Sequence, residues 1–302
     1  MAESDNMNSD RDWETFVDGP ITPKPAPWET KATIYIIPFW TSGQTAKHLP
    51  PKSYSPLEGA SAFASKEFGV PVGGMSTVQL LRYTDTPAGP YDELILNPGY
   101  FEHPVETDNG KKATKKSLRI TRIYVSQKQT CWNGRTLWNI PKHLARFEWT
   151  DSPDGSTRVK VFPHDTHTPY DATEAKPSDT PFFQCTIKSM SYIPSFPMTS
   201  SLFKYMGIDT SLVQPPLPQG ETELGELPGT ERWAKLAGFV QYAPKASLAW
   251  ADMSQKGEDG KAPDEYDNFF PGLSRWNVAV KLLGGGASFP AAETWETPKG
   301  AL

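Results

Sequence analysis

Short apolar runs, broken within about ten residues by turn formers or charges, recur along the 302-residue chain. Their period-two alternation and β-branched or aromatic content predict strands rather than long helices. The segments are "ATIYII" from Ala32, "STVQLLRY" from Ser76, "YDELIL" from Tyr91, "LRITRIYV" from Leu118 and "RFEW" from Arg146. They continue with "RVKVF" from Arg158, "FFQCTIKSM" from Phe182, "LAGFVQYA" from Leu236, "ASLAWADM" from Ala246 and "WNVAVKLL" from Trp276. "TDTPAGP" and "DSPDGS" read as hairpin turns between antiparallel neighbours. Helical signal is thin: the best segments are "SAFASKEF" from Ser61 and "SSLFKYMG" from Ser200, with Gly207 as a terminating residue. "QPPLPQGETELGELPG" reads as a surface loop by composition. Residues 1–28 are polar and then proline-rich and read as an arm, leaving 29–302 as a single β-rich domain with no fixed-period repeat.

Composition narrows the partners. The formal charge of -5 is spread without a basic stripe, so neither nucleic acid nor a membrane surface is expected as a partner, and a small molecule is. The start, "MAESDNMNSDRDWETF", lacks the basic and apolar regions of a signal peptide, and no run approaches the ~20 apolar residues of a membrane helix. A cytoplasmic protein with Cys131 and Cys185 as reduced thiols is the expectation.

The candidate chemistry lies in a few places. Alternation in "YDELIL" puts Tyr91, Glu93 and Ile95 on one face and Asp92, Leu94 and Leu96 on the other. Both faces are partly apolar, which suits a strand buried on both sides; its glutamate fits either a carboxylate pointing inward and able to exchange protons with a substrate or a solvated acid near a hairpin turn. Arg82 shares a face with Val78 and Leu80, which fits either a carboxylate-binding guanidinium or a structural ion pair. "PHDTH" offers His164, Asp165 and His167, but no further ligand cluster accompanies them, and no metal or other cofactor is expected. "KKATKK", from Lys111, reads as a solvated hairpin tip, and "GGG" at Gly284 lacks the Lys-Ser/Thr that a phosphate loop needs. Serine-hydrolase and zinc-protease signatures are absent.

"NGRTLWNIPKHLARFEW" sets Lys142 after a proline, framed by Trp138, Ile140, Leu144, Phe147 and Trp149. Such a frame fits a lysine whose stem lies on apolar surface with its ammonium in water. It is also compatible with an amine whose pKa is lowered by desolvation into the range of a nucleophile, although the local sequence by itself favours the first reading.

From Tyr124, "YVSQKQTCWNGRTLWNIPKHL" resembles the signature block of the acetoacetate decarboxylase family: Gly-Arg ten residues after the Tyr, and Pro-Lys seven after that Gly. "GPYDELIL" resembles the Gly-x-Tyr-x-Glu strand of the same family; together the pieces span about a fifth of the chain. The Asn-Ile-Pro-Lys-His wording is most similar to fungal members, some of them in secondary metabolism. The resemblance implies an α+β, mainly β, antiparallel barrel or cone with few helices, and a cofactor-free lyase acting through a lysine imine on a keto acid or related carbonyl compound. It makes Lys142 the imine-forming residue and Glu93 the proton shuttle. Arg135 matches the arginine of the Gly-Arg pair, and Arg82, His143, Tyr91 and Trp138 join it as expected substrate-binding residues. Two departures stand out: His143 occupies the place of the family's second lysine, and Thr136 that of a Glu. Acetoacetate decarboxylase is itself a known case of a lysine activated beside another cation; here the apolar frame would carry that shift. An aldolase-dehydratase or cyclase on the same scaffold, a non-catalytic small-molecule binder, and assembly into a homo-oligomer are left open by the sequence.

Overall fold

The computed structural model describes residues 19–106, 112–164, 176–254 and 276–296. In chain order the strands are β1 (Trp28–Glu29), β2 (Lys31–Thr41), β3 (Val70–Asp85), β4 (Tyr91–Asn97), β5 (Tyr100–Glu106), β6 (Lys112–Leu118), β7 (Arg122–Val125) and β8 (Lys142–Asp151). They continue as β9 (Ser156–Pro163), β10 (Phe183–Ser189), β11 (Phe196–Thr199), β12 (Leu212–Gln214), β13 (Arg232–Leu236), β14 (Val240–Asp252), β15 (Val278–Phe289) and β16 (Glu293–Glu296). Four short or medium α-helices accompany them among the described residues: α1 (Gly43–Ala46), α2 (Pro56–Gly59), α3 (Lys128–Trp138) and α4 (Leu202–Tyr205). The fold is mainly β, with few helices.

Nine strands close a barrel in the order β2-β15-β14-β10-β9-β8-β7-β4-β3, the ring completed by β2 pairing with both β15 and β3. Every pairing in it is antiparallel except β7 with β8. Alternation sorts the side chains. Tyr35, Ile37, Val78, Leu80, Leu94, Leu96, Val159, Val161 and Cys185 form one apolar cluster filling the interior. Contacts across the ring show that this is the inside: the Tyr35 ring on β2 stacks 5.9 Å from Trp149 on β8, and these strands are not neighbours.

The opposite faces of β2, β3, β4, β7, β8 and β15 point outward, yet they are buried too. A second layer covers them, built from α3, the segment around β11 and β12, and a second sheet that β3 reaches by running on past the barrel to pair with β5. This double burial is why all of β4 is sealed from solvent, as the alternation in "YDELIL" implies.

Most predicted strands recur, with physical corrections at their ends. "LRITRIYV" breaks at residues 119–121, and "LAGFVQYA" turns at Gly238, whose φ is 78°. "SAFASKEF" forms only two 3-10 turns, while the Ser200 segment supplies one helical turn ending before Gly207. Of the lysine run, Lys115 and Lys116 are solvated as expected but lie on β6 and not in a turn, and Lys111 lies outside the described residues. The proline-rich "QPPLPQGETELGELPG" is not a surface loop, since Gln214, Leu217, Glu226 and Leu227 are buried in it. Residues 1–18 are not described, but residues 19–28 lie along α3: the Thr22 and Lys24 amides donate to Gln129 and Asn133 at 2.8 and 2.7 Å.

The longest described helix, α3, was not expected. Its buried positions include Lys128, Thr130, Asn133, Gly134 and Arg135, so the inward face carries polar and small residues where a periodic apolar stripe would have announced a helix. Gln127 caps its start by accepting from the Thr130 amide, and Asn139, at φ 52°, ends it in a left-handed turn. Pro141 then rules out further helix, and the chain enters β8 at Lys142. Thus β7, α3 and β8 form a crossover that returns β8 parallel to β7, with Ile123 opposite Lys142.

Candidate active site

Between the outer face of the barrel and the second layer lies a cavity of about 290 Å³. Its walls are largely apolar: Trp28, Ile36, Leu81, Ile95, Ile123, Trp138, Phe239 and Phe289 are among them. Lys142 and Glu93 enter it from β8 and β4, both nearly sealed from bulk solvent, and Lys142 Nζ lies 2.8 Å from Glu93 Oε2. Sheet register makes this meeting unavoidable. Glu93 pairs with Val125 and Lys142 with Ile123, so the two side chains sit on adjacent rows of one face, separated by β7.

The lysine is held along its whole length. Nζ donates to Thr130 Oγ1 at 2.9 Å and lies 5.0 Å from the centre of the Tyr91 ring. Its stem crosses α3 at Gly134, where a Cβ would stand 2.6 Å from Lys142 Cδ and 2.7 Å from Cε. That close approach is a physical reason for glycine at that position in the Gly-Arg pair. Tyr83 completes the group, its hydroxyl donating to Glu93 Oε1 at 3.4 Å with its ring 4.4 Å from that of Tyr91.

Electrostatics here correct an expectation. Burial pushes the Lys142 amine down, but the Glu93 carboxylate and the neighbouring Tyr91 outweigh it, and the amine is raised above the ordinary lysine value. This direction favours the protonated form of Lys142 beside Glu93 over the free amine that desolvation alone would favour. Tyr91 is pushed up to about 12 by burial, with Lys142 opposing the shift, and Tyr83 is raised well above the usual phenol range, again chiefly by burial.

Of the residues expected at the site, Lys142, Glu93, Tyr91 and Trp138 line this cavity, whereas Arg82, Arg135 and His143 do not. Arg82 points into the barrel, its guanidinium 4.7 Å from the Trp149 ring centre and 3.8 Å from Asp92 Oδ1, because the even positions of β3 face inward. His143, next to Lys142 on a strand, must face the other way; its Nε2 lies 2.6 Å from Glu58 Oε2. Arg135 meets the other Glu58 oxygen at 3.0 Å and donates to the carbonyls of Pro218, Pro228 and Lys142. These three residues have no exposed surface. Burial raises the Glu58 carboxyl, but His143 and Arg135 overcome it and hold the group below the ordinary carboxylate value.

Sequence reading did not single out Tyr83, Thr130, Glu58, Gln79 or Gln241. Tyr83 and Gln79 were accessible by alternation, since they share a face with Leu81 in "STVQLLRY"; Thr130 is one helical turn before Gly134 and needed α3 to be recognised. Nothing local marks Glu58. No group of three or more His, Cys, Asp and Glu side chains gathers among the described residues, and Asp165 and His167 lie outside them. Cys131 and Cys185 are both buried and are not joined in a disulfide. Among the described residues, no helix is long and apolar enough to cross a membrane.

No family model matches the chain. Curated relatives include the protein NEOXANTHIN-DEFICIENT 1 of Oryza sativa subsp. japonica, 31% identical over 99 residues, which are 31% of this chain and 29% of that protein. The proteins of that name from Solanum lycopersicum and Arabidopsis thaliana are 31% and 26% identical over 30% and 40% of this chain, or 28% and 36% of their own lengths. This chain thus matches about a third of the length of these relatives. Among solved structures, acetoacetate decarboxylase from Legionella pneumophila superposes with a TM-score of 0.50 at 12% identity, covering 91% of this chain and 92% of that one. A second acetoacetate decarboxylase structure gives 0.51 at 13% identity, covering 92% of each chain. The enduracididine biosynthesis enzyme MppR, complexed with a condensation product of pyruvate and imidazole 4-carboxaldehyde, gives 0.50 at 12%, over 91% of this chain and 92% of its own. The fold is that of the acetoacetate decarboxylase-like proteins.

Proposed function

We propose that this protein is a lyase-type enzyme that forms an imine between Lys142 and a carbonyl compound, with Glu93 moving the protons. The observation that carries the reading is the 2.8 Å pair of Lys142 Nζ and Glu93 Oε2 inside an apolar cavity. In the mechanism we derive, a carbonyl compound enters and displaces water, which disfavours the separated charges and passes the ammonium proton to Glu93. The freed amine attacks the carbonyl carbon, the oxygen takes up the Glu93 proton and then a second proton from the nitrogen, and departure of that oxygen as water, with the nitrogen lone pair forming C=N, leaves an iminium that withdraws electrons from the adjacent carbon. Glu93, a carboxylate again, then receives a proton from the substrate. Thr130 and Tyr91 hold the nitrogen in position throughout.

Three further points rest on inference. The fold likeness to acetoacetate decarboxylase supports lyase chemistry, and the Asn-Ile-Pro-Lys-His wording supports a fungal-type relationship. The plant relatives are named for neoxanthin deficiency; at a third of their length they support no transfer of activity.

Reductive trapping tests the reading. Wild-type protein incubated with nonan-2-one and cyanoborohydride should gain one alkyl mass on Lys142. Lys142→Ala should gain none there while unfolding at the same temperature as wild type; full turnover in that variant would refute the imine.

A further inference from the structure

We infer that the compound taken by this site is an uncharged ketone or aldehyde carrying a distal hydroxyl or carbonyl, rather than a keto acid. The inference rests on the imine reading and deepens it. Among the described residues lining the cavity, Lys142 is the only cation, and Glu93 already neutralises it. The guanidiniums that a carboxylate would need are elsewhere: Arg82 is inside the barrel and Arg135 is locked on Glu58. A carboxylate entering here would be desolvated with no counter-charge, beside an existing carboxylate.

Polarity reappears only away from the lysine. Gln79 lies on the same row of the sheet as Lys142, three strands away through Ile123 and Ile95, roughly 14 Å at ordinary strand spacing. There Gln241 donates from Nε2 to Gln79 Oε1 at 2.8 Å, and Asn97 Oδ1 accepts from the Gly99 amide. Gln241, Asn97 and the hydroxyls of Thr77, Ser200 and Thr210 give this part of the wall donors and acceptors that carry no charge. Between them and the amine the lining is hydrocarbon. A cavity of about 290 Å³ holds about ten non-hydrogen atoms at the volume a water occupies in the liquid. That is a medium-chain carbonyl compound with one polar end.

The class fixes the first chemical step after imine formation. With no carboxylate on the substrate, electrons enter the iminium from an α C–H bond: the proton goes to Glu93, the C–H pair becomes the C=C bond, and the C=N π pair returns to nitrogen, giving an enamine.

The test compares nonan-2-one, 9-hydroxynonan-2-one and 2-oxononanoate in reductive trapping on Lys142 by peptide-mapped mass spectrometry. Each rate is divided by that of Nα-acetyl-lysine to remove intrinsic electrophilicity. Nonan-2-one should exceed 2-oxononanoate at least 100-fold. The hydroxyl should add a further three- to tenfold, and in Gln241→Leu the ratio of the 9-hydroxynonan-2-one rate to the nonan-2-one rate should fall to about one. Trapping of 2-oxononanoate at an equal or higher normalised rate would overturn the inference and leave the imine reading standing. Failure of all three, with propanal also unreactive at Lys142, would overturn both.

Discussion

Two buried ion clusters sit back to back across the first two residues of β8. On one side Lys142 meets Glu93, Thr130, Tyr83 and Tyr91 at the wall of a cavity; on the other His143 and Arg135 bracket Glu58 with no exposed surface. Each cluster has one carboxylate and at least one basic group at hydrogen-bond distance, and each is sealed from bulk water. They differ in what lies next to them. In the Glu58 cluster Arg135 also donates to the backbone carbonyls of Pro218, Pro228 and Lys142, and none of its three side chains lines the cavity. The Lys142 cluster borders hydrocarbon and free volume. Burial and charge pairing alone do not make an active site; an adjacent space with unsatisfied chemistry does.

The largest effect that would break this contrast is on stability. Glu58→Ala leaves Arg135 buried without its counter-charge and should cost about 3–5 kcal/mol in a denaturant melt. Glu58→Gln gives the sign of the pH dependence. Because the carboxyl is held below its ordinary value, its contribution is complete above about pH 4.3, and is lost as pH falls through the lowered value. The gap between wild type and Glu58→Gln should therefore narrow on acidification; a gap independent of pH would show that Glu58 is not ionised in the folded protein. In neither variant should the folded fraction lose trapping at Lys142.

A smaller, local effect sharpens the contrast at Gly134. Alanine is ordinarily the better helix residue by about 1 kcal/mol. Here its Cβ would collide with the Lys142 stem, so Gly134→Ala should slow trapping about tenfold by a displacement of ~1 Å. In thermal melts Gly134→Ala should destabilise the protein that keeps Lys142 but be neutral or stabilising in a Lys142→Ala background, and equal stability effects in the two backgrounds would remove the steric account.

The smallest expected effect is that of His143→Gln. If the cation next in sequence governed the amine, the pH profile of trapping would move by more than ~1 unit, equivalent to about 1.4 kcal/mol. Since His143 faces Glu58, the profile should move less, while the melt loses about 1–3 kcal/mol from the impaired buried contact.

The same alternation explains how much could be read in advance. Strands such as β2, β4 and β9 have one face in the barrel core, so their period-two pattern declares them, and it correctly put Tyr91 and Glu93 together. The Gly-Arg to Pro-Lys spacing pointed to Lys142 because the crossover β7–α3–β8 has fixed length and Gly134 must admit the lysine stem. The rest depended on contacts distant in sequence. Arg82 looked inward, and is, but inward on that face means the barrel core and not the cavity. His143 looked like a neighbour of the amine, yet adjacency along a strand places two side chains on opposite faces. Helix α3 stayed hidden because its buried face is polar, matched to Glu58, Pro218 and the segment at residues 19–28, none of which a local window contains. The lysine's raised amine has the same origin: its apolar frame is legible in the sequence, whereas the 2.8 Å contact with Glu93 depends on the register of β4, β7 and β8.

The central claim is that Lys142 is a nucleophile whose protonation Glu93 controls, and the most direct measurement is the rate of nonan-2-one trapping on Lys142 against pH in wild type and Glu93→Gln. In wild type the raised amine should make the rate climb through the alkaline range. Removing the carboxylate takes away the largest of the influences that oppose burial, so Glu93→Gln should trap faster than wild type at pH 7 while losing exchange of the ketone α-hydrogens in deuterated water. Coincident pH profiles for the two proteins, or α-exchange retained without the carboxylate, would contradict the account.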